Sequence, residues 1–128
     1  MMNDERKTNT GSAAQDLAQR TKLFALGVIN LYSRLPGTTL AQVLGRQILR
    51  SGTSVGAQYR EAKRAKSDAD FISKIEGALQ ELEETAYWLE LLEDSRIIAT
   101  AEAARLRTEA NELTSILVAS VKTVKRRK

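Results

Sequence analysis

The chain has 128 residues and a formal net charge of +4, a length that fits one domain able to bury a real core. Hydrophobic residues make up 42% and charged residues 28%, which excludes an extended, disordered polyelectrolyte. Cysteine and histidine are both absent, so no disulfide, thiolate nucleophile, imidazole base or usual zinc site can be built.

One proline and 7 glycines are too few for the turns of a sandwich or barrel, and long helices are expected instead. Residues 1–12 read as a polar tail without the apolar stretch of a signal peptide, and no apolar run is long enough to span a membrane. Together with the missing cysteines, this predicts a cytoplasmic protein. The bundle domain is expected over residues 13–126, with 127–128 as a basic end.

The first helix is expected from about Ala14 to Leu35. Leu17, Thr21, Phe24, Val28, Leu31 and Leu35 alternate steps of four and three, which keeps them on one face. Pro36-Gly37 breaks it, because proline disfavours the α conformation in the residue before it. Thr38 or Thr39 can cap a second helix over Leu40 to Ala65, whose inner face reads Leu40, Leu44, Ile48, Ser51, Val55, Gln58 and Ala62. Within it, Ser51-Gly52-Thr53-Ser54-Val55-Gly56 is a run of mostly small residues. Each helical glycine costs about 1 kcal/mol against alanine, so the run marks a close helix–helix approach or kink, or alternatively a partner backbone or phosphate.

Ser67 and the acids Asp68 and Asp70 form a helix start that suits the helix dipole. The third helix continues to about Glu93 with Phe71, Ile75, Ala78, Leu82, Thr85 and Leu89 in register. Thr100 can cap the fourth, which carries Ala103, Leu106, Ala110, Leu113, Leu117, Val121 and Val124. Four such stripes with short connections predict an all-α, antiparallel up-down-up-down four-helix bundle.

Charge is segregated along the chain. Residues 1–66 hold 11 Lys/Arg against 4 Asp/Glu, residues 67–117 hold 4 against 12, and residues 118–128 hold 5 against none. Subunits that attract one another, or a basic face for a polyanion, would both follow from this. On the second helix Arg46, Arg50, Arg60 and Arg64, flanked by Lys63, form an outward stripe roughly 27 Å long at a rise of 1.5 Å per residue. Arginine suits bidentate phosphate contact, but these groups could instead pair with a neighbour's acids or simply face solvent. Lys122, Lys125, Arg126, Arg127 and Lys128 exceed what a helix C-terminal dipole needs and read as an electrostatic arm.

The acids of the third helix (Glu76, Glu81, Glu83, Glu84, Glu90, Glu93 and Asp94) read as a solvated face rather than a metal or catalytic site, since a di-iron bundle needs histidines. No phosphate-binding glycine loop and no activated serine is present. No enzymatic activity, metal or cofactor is expected. Tyr87, Trp88 and Leu91 on the third helix, with Leu49 on the second, read as an outward apolar cluster suited to subunit contact.

Two segments together resemble a known family. Leu35-Pro36, Gln47-Ile48-Leu49-Arg50-Ser51-Gly52-Thr53-Ser54-Val55-Gly56-Ala57-Gln58 and Glu61-Ala62 form the first. Ser67-x-x-Asp70-Phe71-Ile72-x-Lys74, Ala78-Leu79-x-Glu81 and Glu84-Thr85-x-Tyr87-Trp88-Leu89 form the second. The pattern, over about residues 17–117, resembles the bundle proteins encoded in intervening sequences of large-subunit ribosomal RNA genes, also called S23 ribosomal proteins. The resemblance implies a homopentameric ring without enzymatic activity. It also implies kinship with the accessory variability protein of diversity-generating retroelements, which associates with a reverse transcriptase and nucleic acid. Arg60 departs from the family pattern, where a small or acidic residue is common, and with Lys63 and Arg64 makes this chain more basic there. The reading from sequence is a non-enzymatic, oligomeric RNA- or nucleoprotein-binding bundle, or alternatively a scaffold that docks a protein such as a reverse transcriptase.

Overall fold

The computed structural model describes residues 9–127, and side chains from residue 17 onward. Four helices follow one another: α1 over Asn9–Ser33, α2 over Thr39–Lys63, α3 over Asp68–Asp94 and α4 over Thr100–Arg126. α1 therefore begins inside the span read as a polar tail, while residues 1–8 lie outside the described residues. Each helix packs on the next and α4 returns to α1, whereas among the described residues the backbones of α1 and α3, and of α2 and α4, stay more than 8 Å apart between Cα atoms. The bundle is thus a square, with those two pairs on its diagonals. The α2–α3 pair is the closest packed and the α1–α4 pair the loosest.

The helix ends follow from local chemistry. Thr38 Oγ1 accepts from Ala41 N at the start of α2, and Ser67 Oγ accepts from Asp70 N at the start of α3, satisfying donors that have no partner within the helix. The cap expected at Thr100 is absent. α4 starts one residue earlier from Ala99, which offers no capping side chain. α3 closes with Arg96 N donating to Glu93 O and Ile97 N donating to Leu92 O, with Arg96 at φ 60°. This is the paired hydrogen-bond pattern that ordinarily places glycine in the left-handed position. Here an arginine holds it, and Ile98 turns inward as part of the core.

The core contains the expected stripes: Phe24, Val28 and Leu31 of α1, Ile48 and Val55 of α2, Ile75, Leu82 and Leu89 of α3, and Leu113 and Leu117 of α4 are all buried. Leu40, read as an inner residue, is 53% exposed because α2 has barely begun there. Gln58 and Phe71 are half-buried.

Small residues on α2 allow α1 to come close. A Cβ on Gly52 would lie 2.7 Å from Val28 Cγ2, and one on Gly45 would lie 2.6 Å from Leu35 Cδ1. On its other flank α2 meets α3 through a buried hydroxyl pair, Ser51 Oγ to Thr85 Oγ1 at 2.7 Å, and Thr85 Oγ1 also reaches Glu81 O at 2.8 Å. These bonds satisfy polar groups that would otherwise be costly to bury. The loose α1–α4 seam is clamped from outside by Arg20, which reaches Glu109 at 2.8 Å and Glu112 at 2.7 Å, and by the Arg34–Glu102 pair. The hydrogen bonds that Arg20 donates to Glu109 and, next, Glu112 raise its pKa further.

Opposite outcomes are expected for two backbone substitutions, read by urea unfolding. Gly52→Ala gains helix propensity but forces its methyl into Val28, and should destabilise by about 1–2 kcal/mol net. Arg96→Gly relieves a left-handed residue and should stabilise by about 1 kcal/mol.

Candidate nucleic-acid interface

The antiparallel order of the helices places the end of α2, the start of α3 and the end of α4 at one pole of the bundle. An open cleft there is lined by Lys63 and Lys66 from the α2 end, Ser67, Asp68 and Phe71 from the α3 start, and Val124 and Arg127 from α4. Two basic segments far apart in sequence, 60–66 and 122–127, are thereby brought together. Arg60, Arg64, Lys66, Lys122, Lys125 and Arg126 are exposed and make no ion pair among the described residues. Lys63 lies over the Tyr59 ring, 6.0 Å from its centroid, and Arg127 reaches Asp68 at 3.4 Å. Burial raises the Tyr59 hydroxyl pKa, so this ring stays neutral beneath the lysine.

The arginine stripe read along α2 divides in two. Arg64 lies at the pole, whereas Arg60, in the last turn of α2, lines a separate groove against Thr21, Lys22 and Ala25 of α1. Arg50 is instead held by α3 of the same chain, reaching Glu81 Oε1 at 3.3 Å and pairing also with Glu84. The hydrogen bond that it donates to Glu84, ahead of the other contacts, raises the Arg50 pKa. Arg46 is exposed, makes no ion pair among the described residues, and lies about four helical turns from Arg60 and five from Arg64. The rival reading of the stripe, arginine against acid, therefore holds for Arg50, and the acids are its own.

The aromatic cluster also divides. Tyr87 is 53% exposed. Trp88 and Leu91 are half-buried and pack on the core, and the Trp88 Nε1 is buried without an acceptor among the described residues. The α2–α3 pairs Ser51–Thr85 and Arg50–Glu84 set a register that brings Trp88 level with Gln47, in the seam between the two helices. Trp88 therefore faces the seam, a correction of the outward reading that a single helical wheel suggests. Leu49 is half-buried.

The apolar surface that remains open lies elsewhere. Leu23, Leu26 and Ile29 on α1 are 54%, 47% and 43% exposed, and Val43 on α2 is exposed too. The three α1 residues were legible in sequence as apolar positions off the core stripe, at a spacing of three. An acidic groove runs between α3 and α4, lined by Glu83, Glu90, Glu93, Asp94 and Arg107 beside Tyr87. Arg107 donates to Glu93 at 2.6 Å, and this bond holds the Glu93 carboxyl below the usual carboxylate range. Among the described residues no group of three or more acidic side chains could hold a metal ion, and no helix is long and apolar enough to cross a membrane.

The molecule is thus a four-helix bundle with one basic pole, an acidic flank and an open apolar strip. The family model for 23S rRNA-intervening sequence proteins matches residues 14–119, and the chain belongs to that family. The crystal structure of a protein of unknown function from the S23 ribosomal protein family of Bacteroides thetaiotaomicron is similar, with 38% sequence identity and a TM-score of 0.81. The likeness covers 85% of this chain and 97% of that one. None of the curated proteins matches.

The division of the stripe can be measured. Arg50→Ala removes an exposed pair and should lower stability by about 0.5–1 kcal/mol in urea unfolding. Arg64→Ala, with no partner to lose, should leave the unfolding midpoint unchanged within about 0.5 kcal/mol.

Proposed function

We propose that the protein is a non-enzymatic nucleic-acid-binding bundle whose contact surface is the basic pole. One observation carries this reading: cations from 60–66 and from 122–127, separated by most of α3 and α4, share one end of the molecule, and six of them are exposed and unpaired. Holding so many like charges together costs self-repulsion, which a polyanion would relieve. The α2 and α4 C-terminal dipoles account for the cations in their last turns, Arg60 and Lys63 among them, but Lys66 lies past the helix end. Long flexible cations on helix ends suit phosphate contacts, which position a nucleic acid without reading its bases. The family's name points to ribosomal RNA, and structured RNA is the first ligand to try.

Binding should weaken steeply with salt, because each phosphate neutralised releases counterions. With four phosphates engaged, affinity for a structured RNA should fall about a hundredfold between 50 and 200 mM salt. Replacing Arg64 and Lys125 by glutamate should weaken binding of unrelated RNA sequences alike and flatten the salt slope. An RNA affinity that is absent at 50 mM salt, or unchanged by both substitutions, overturns the proposal.

A second reading rests on a separate observation, the open strip of Leu23, Leu26 and Ile29. A run of large apolar side chains on one outer helix face is what a subunit or protein interface supplies. On this reading the bundle is an oligomeric scaffold, and the ring and the reverse-transcriptase partner that the sequence resemblance implied would use α1 rather than Trp88. Leu26→Asp should then convert the particle to monomer in sedimentation while the helical circular dichroism stays unchanged. A wild-type protein that sediments as a monomer at every concentration removes this reading.

A further inference from the structure

The α1–α2 and α3–α4 sides lie opposite one another in the square, and they carry opposite charge. Between α1 and α2 a hollow of about 380 Å³ has small walls, Ala25, Thr53, Gly56 and Ala57, with Lys22 and Arg60 at its rim. Arg46, Thr53 and Arg60 are spaced by seven, and so are Ala57 and Arg64. Seven residues return to within about 20° of the same direction around a helix, so these five share one face of α2 and its end. Glu61, the one acid of α2, turns the other way to Lys74 of α3. On the α3–α4 side Glu76, Glu83 and Glu90 are likewise spaced by seven, as are Tyr87 and Asp94, and all five are exposed. Arg107, the cation lining the groove there, is taken by Glu93. Neither the cations Lys22, Arg46, Arg60 and Arg64 nor the acids Glu76, Glu83, Glu90 and Asp94 make an ion pair among the described residues.

We infer that the α1–α2 face is the docking site for the α3–α4 face of a second copy of this chain, with α2 parallel to the partner's α3. The inference rests on the scaffold reading above and names its occupant. Arg46 and Arg60 are about 21 Å apart along α2, the same separation as Glu76 and Glu90 along α3. The two stripes then match at a single offset of 30 positions: Arg46 meets the partner's Glu76, Arg60 the partner's Glu90, and Arg64 the partner's Asp94. The same offset sets the partner's Tyr87 opposite Ala57, over the hollow. A large ring entering a pocket of small side chains, with charge pairs around it, is the anatomy of a protein interface. Ile29, seven residues beyond Lys22 and open to solvent, is covered by the same contact.

The reverse orientation of the two helices keeps the outer charge pairs, but it sets Arg64 against the partner's Ile72 and moves the partner's Tyr87 off the hollow to Leu49. The parallel arrangement satisfies all three arginines and fills the pocket. Because the two faces lie on opposite sides of the bundle, one neighbour cannot satisfy both. The contact is therefore heterologous, and every added copy presents a free face of each kind. Lys63, Lys66 and the α4 cations remain at the pole, outside this contact.

The test is a charge swap read by sedimentation velocity of the full chain. One variant carries Arg46→Glu with Arg60→Glu, and the other Glu76→Arg with Glu90→Arg. Each sets like charges against one another and should weaken self-association about a hundredfold. An equimolar mixture should recover the wild-type sedimentation coefficient, since the altered face of each variant complements the altered face of the other. Within one chain, Arg60→Glu combined with Glu90→Arg should restore association, whereas Arg60→Glu combined with Glu76→Arg should not. The substituted residues are exposed, and circular dichroism with urea unfolding confirms that each variant keeps the bundle. An oligomer that survives both double reversals, a mixture that stays monomeric, or rescue by Glu76→Arg in place of Glu90→Arg overturns the docking, while the response to Leu26→Asp still decides the scaffold reading. A wild-type chain that is monomeric at every concentration overturns both.

Discussion

The close approach of α1 to α2 is the constraint on which the rest of the bundle depends. Gly45 and Gly52 leave no room for a methyl group beside Leu35 and Val28, so the backbone of α2 is drawn in against one neighbour. The other flank of α2 is then fixed by a directional contact, the buried Ser51–Thr85 hydroxyl pair. Steric closeness on one side and a hydrogen bond on the other leave α2 little freedom to rotate or slide. An apolar face alone would tolerate several registers, while a buried polar pair that must be satisfied tolerates few. Each glycine costs helix propensity, and the packing it permits offsets that cost.

Once α2 is fixed, the distribution of surface charge follows. Arg50 meets Glu81 and Glu84 because the Ser51–Thr85 bond sets them level. Ten residues further along the same helix, Arg60 faces a groove beside Thr21, Lys22 and Ala25 of α1 instead of α3, and makes no ion pair among the described residues. The same register delivers the end of α2 to the turn before α3, and the antiparallel path returns the end of α4 to that place. A chain whose charge is segregated in sequence becomes a particle with a basic pole and an acidic flank. The α1–α4 seam is the loosest and is held outside by Arg20 and Arg34. Exposed pairs of this kind contribute modestly, and α1, one side of this loose seam, also bears the bare apolar strip.

Membership of the 23S rRNA-intervening sequence protein family places the fold firmly and leaves the activity to be read from this chain's own surface. The departure noted at Arg60 gains meaning in that light. Together with Lys63 and Arg64 it enlarges the cation group at the α2 end, the side of the pole away from the C-terminal residues. A basic end contributed by α4 alone would be explained by the helix dipole and a solvated terminus.

The sequence by itself determined four helices, their order, the breaks at Pro36-Gly37 and Ser67, and nearly all of the core, because these depend on periodicity and capping within a few residues of the chain. It also marked the small-residue run of α2 as a place of close approach. Only the tertiary structure decided that Trp88 turns into the α2–α3 seam, that Arg50 is engaged by acids of its own chain, and that Leu23, Leu26 and Ile29 remain open. A helical wheel gives the direction of a side chain from its own axis, but not which flank a neighbouring helix will cover or which residue will stand level with it. That depends on register between helices, set here by Gly52 against Val28 and Ser51 against Thr85, contacts between residues 24 and 34 positions apart.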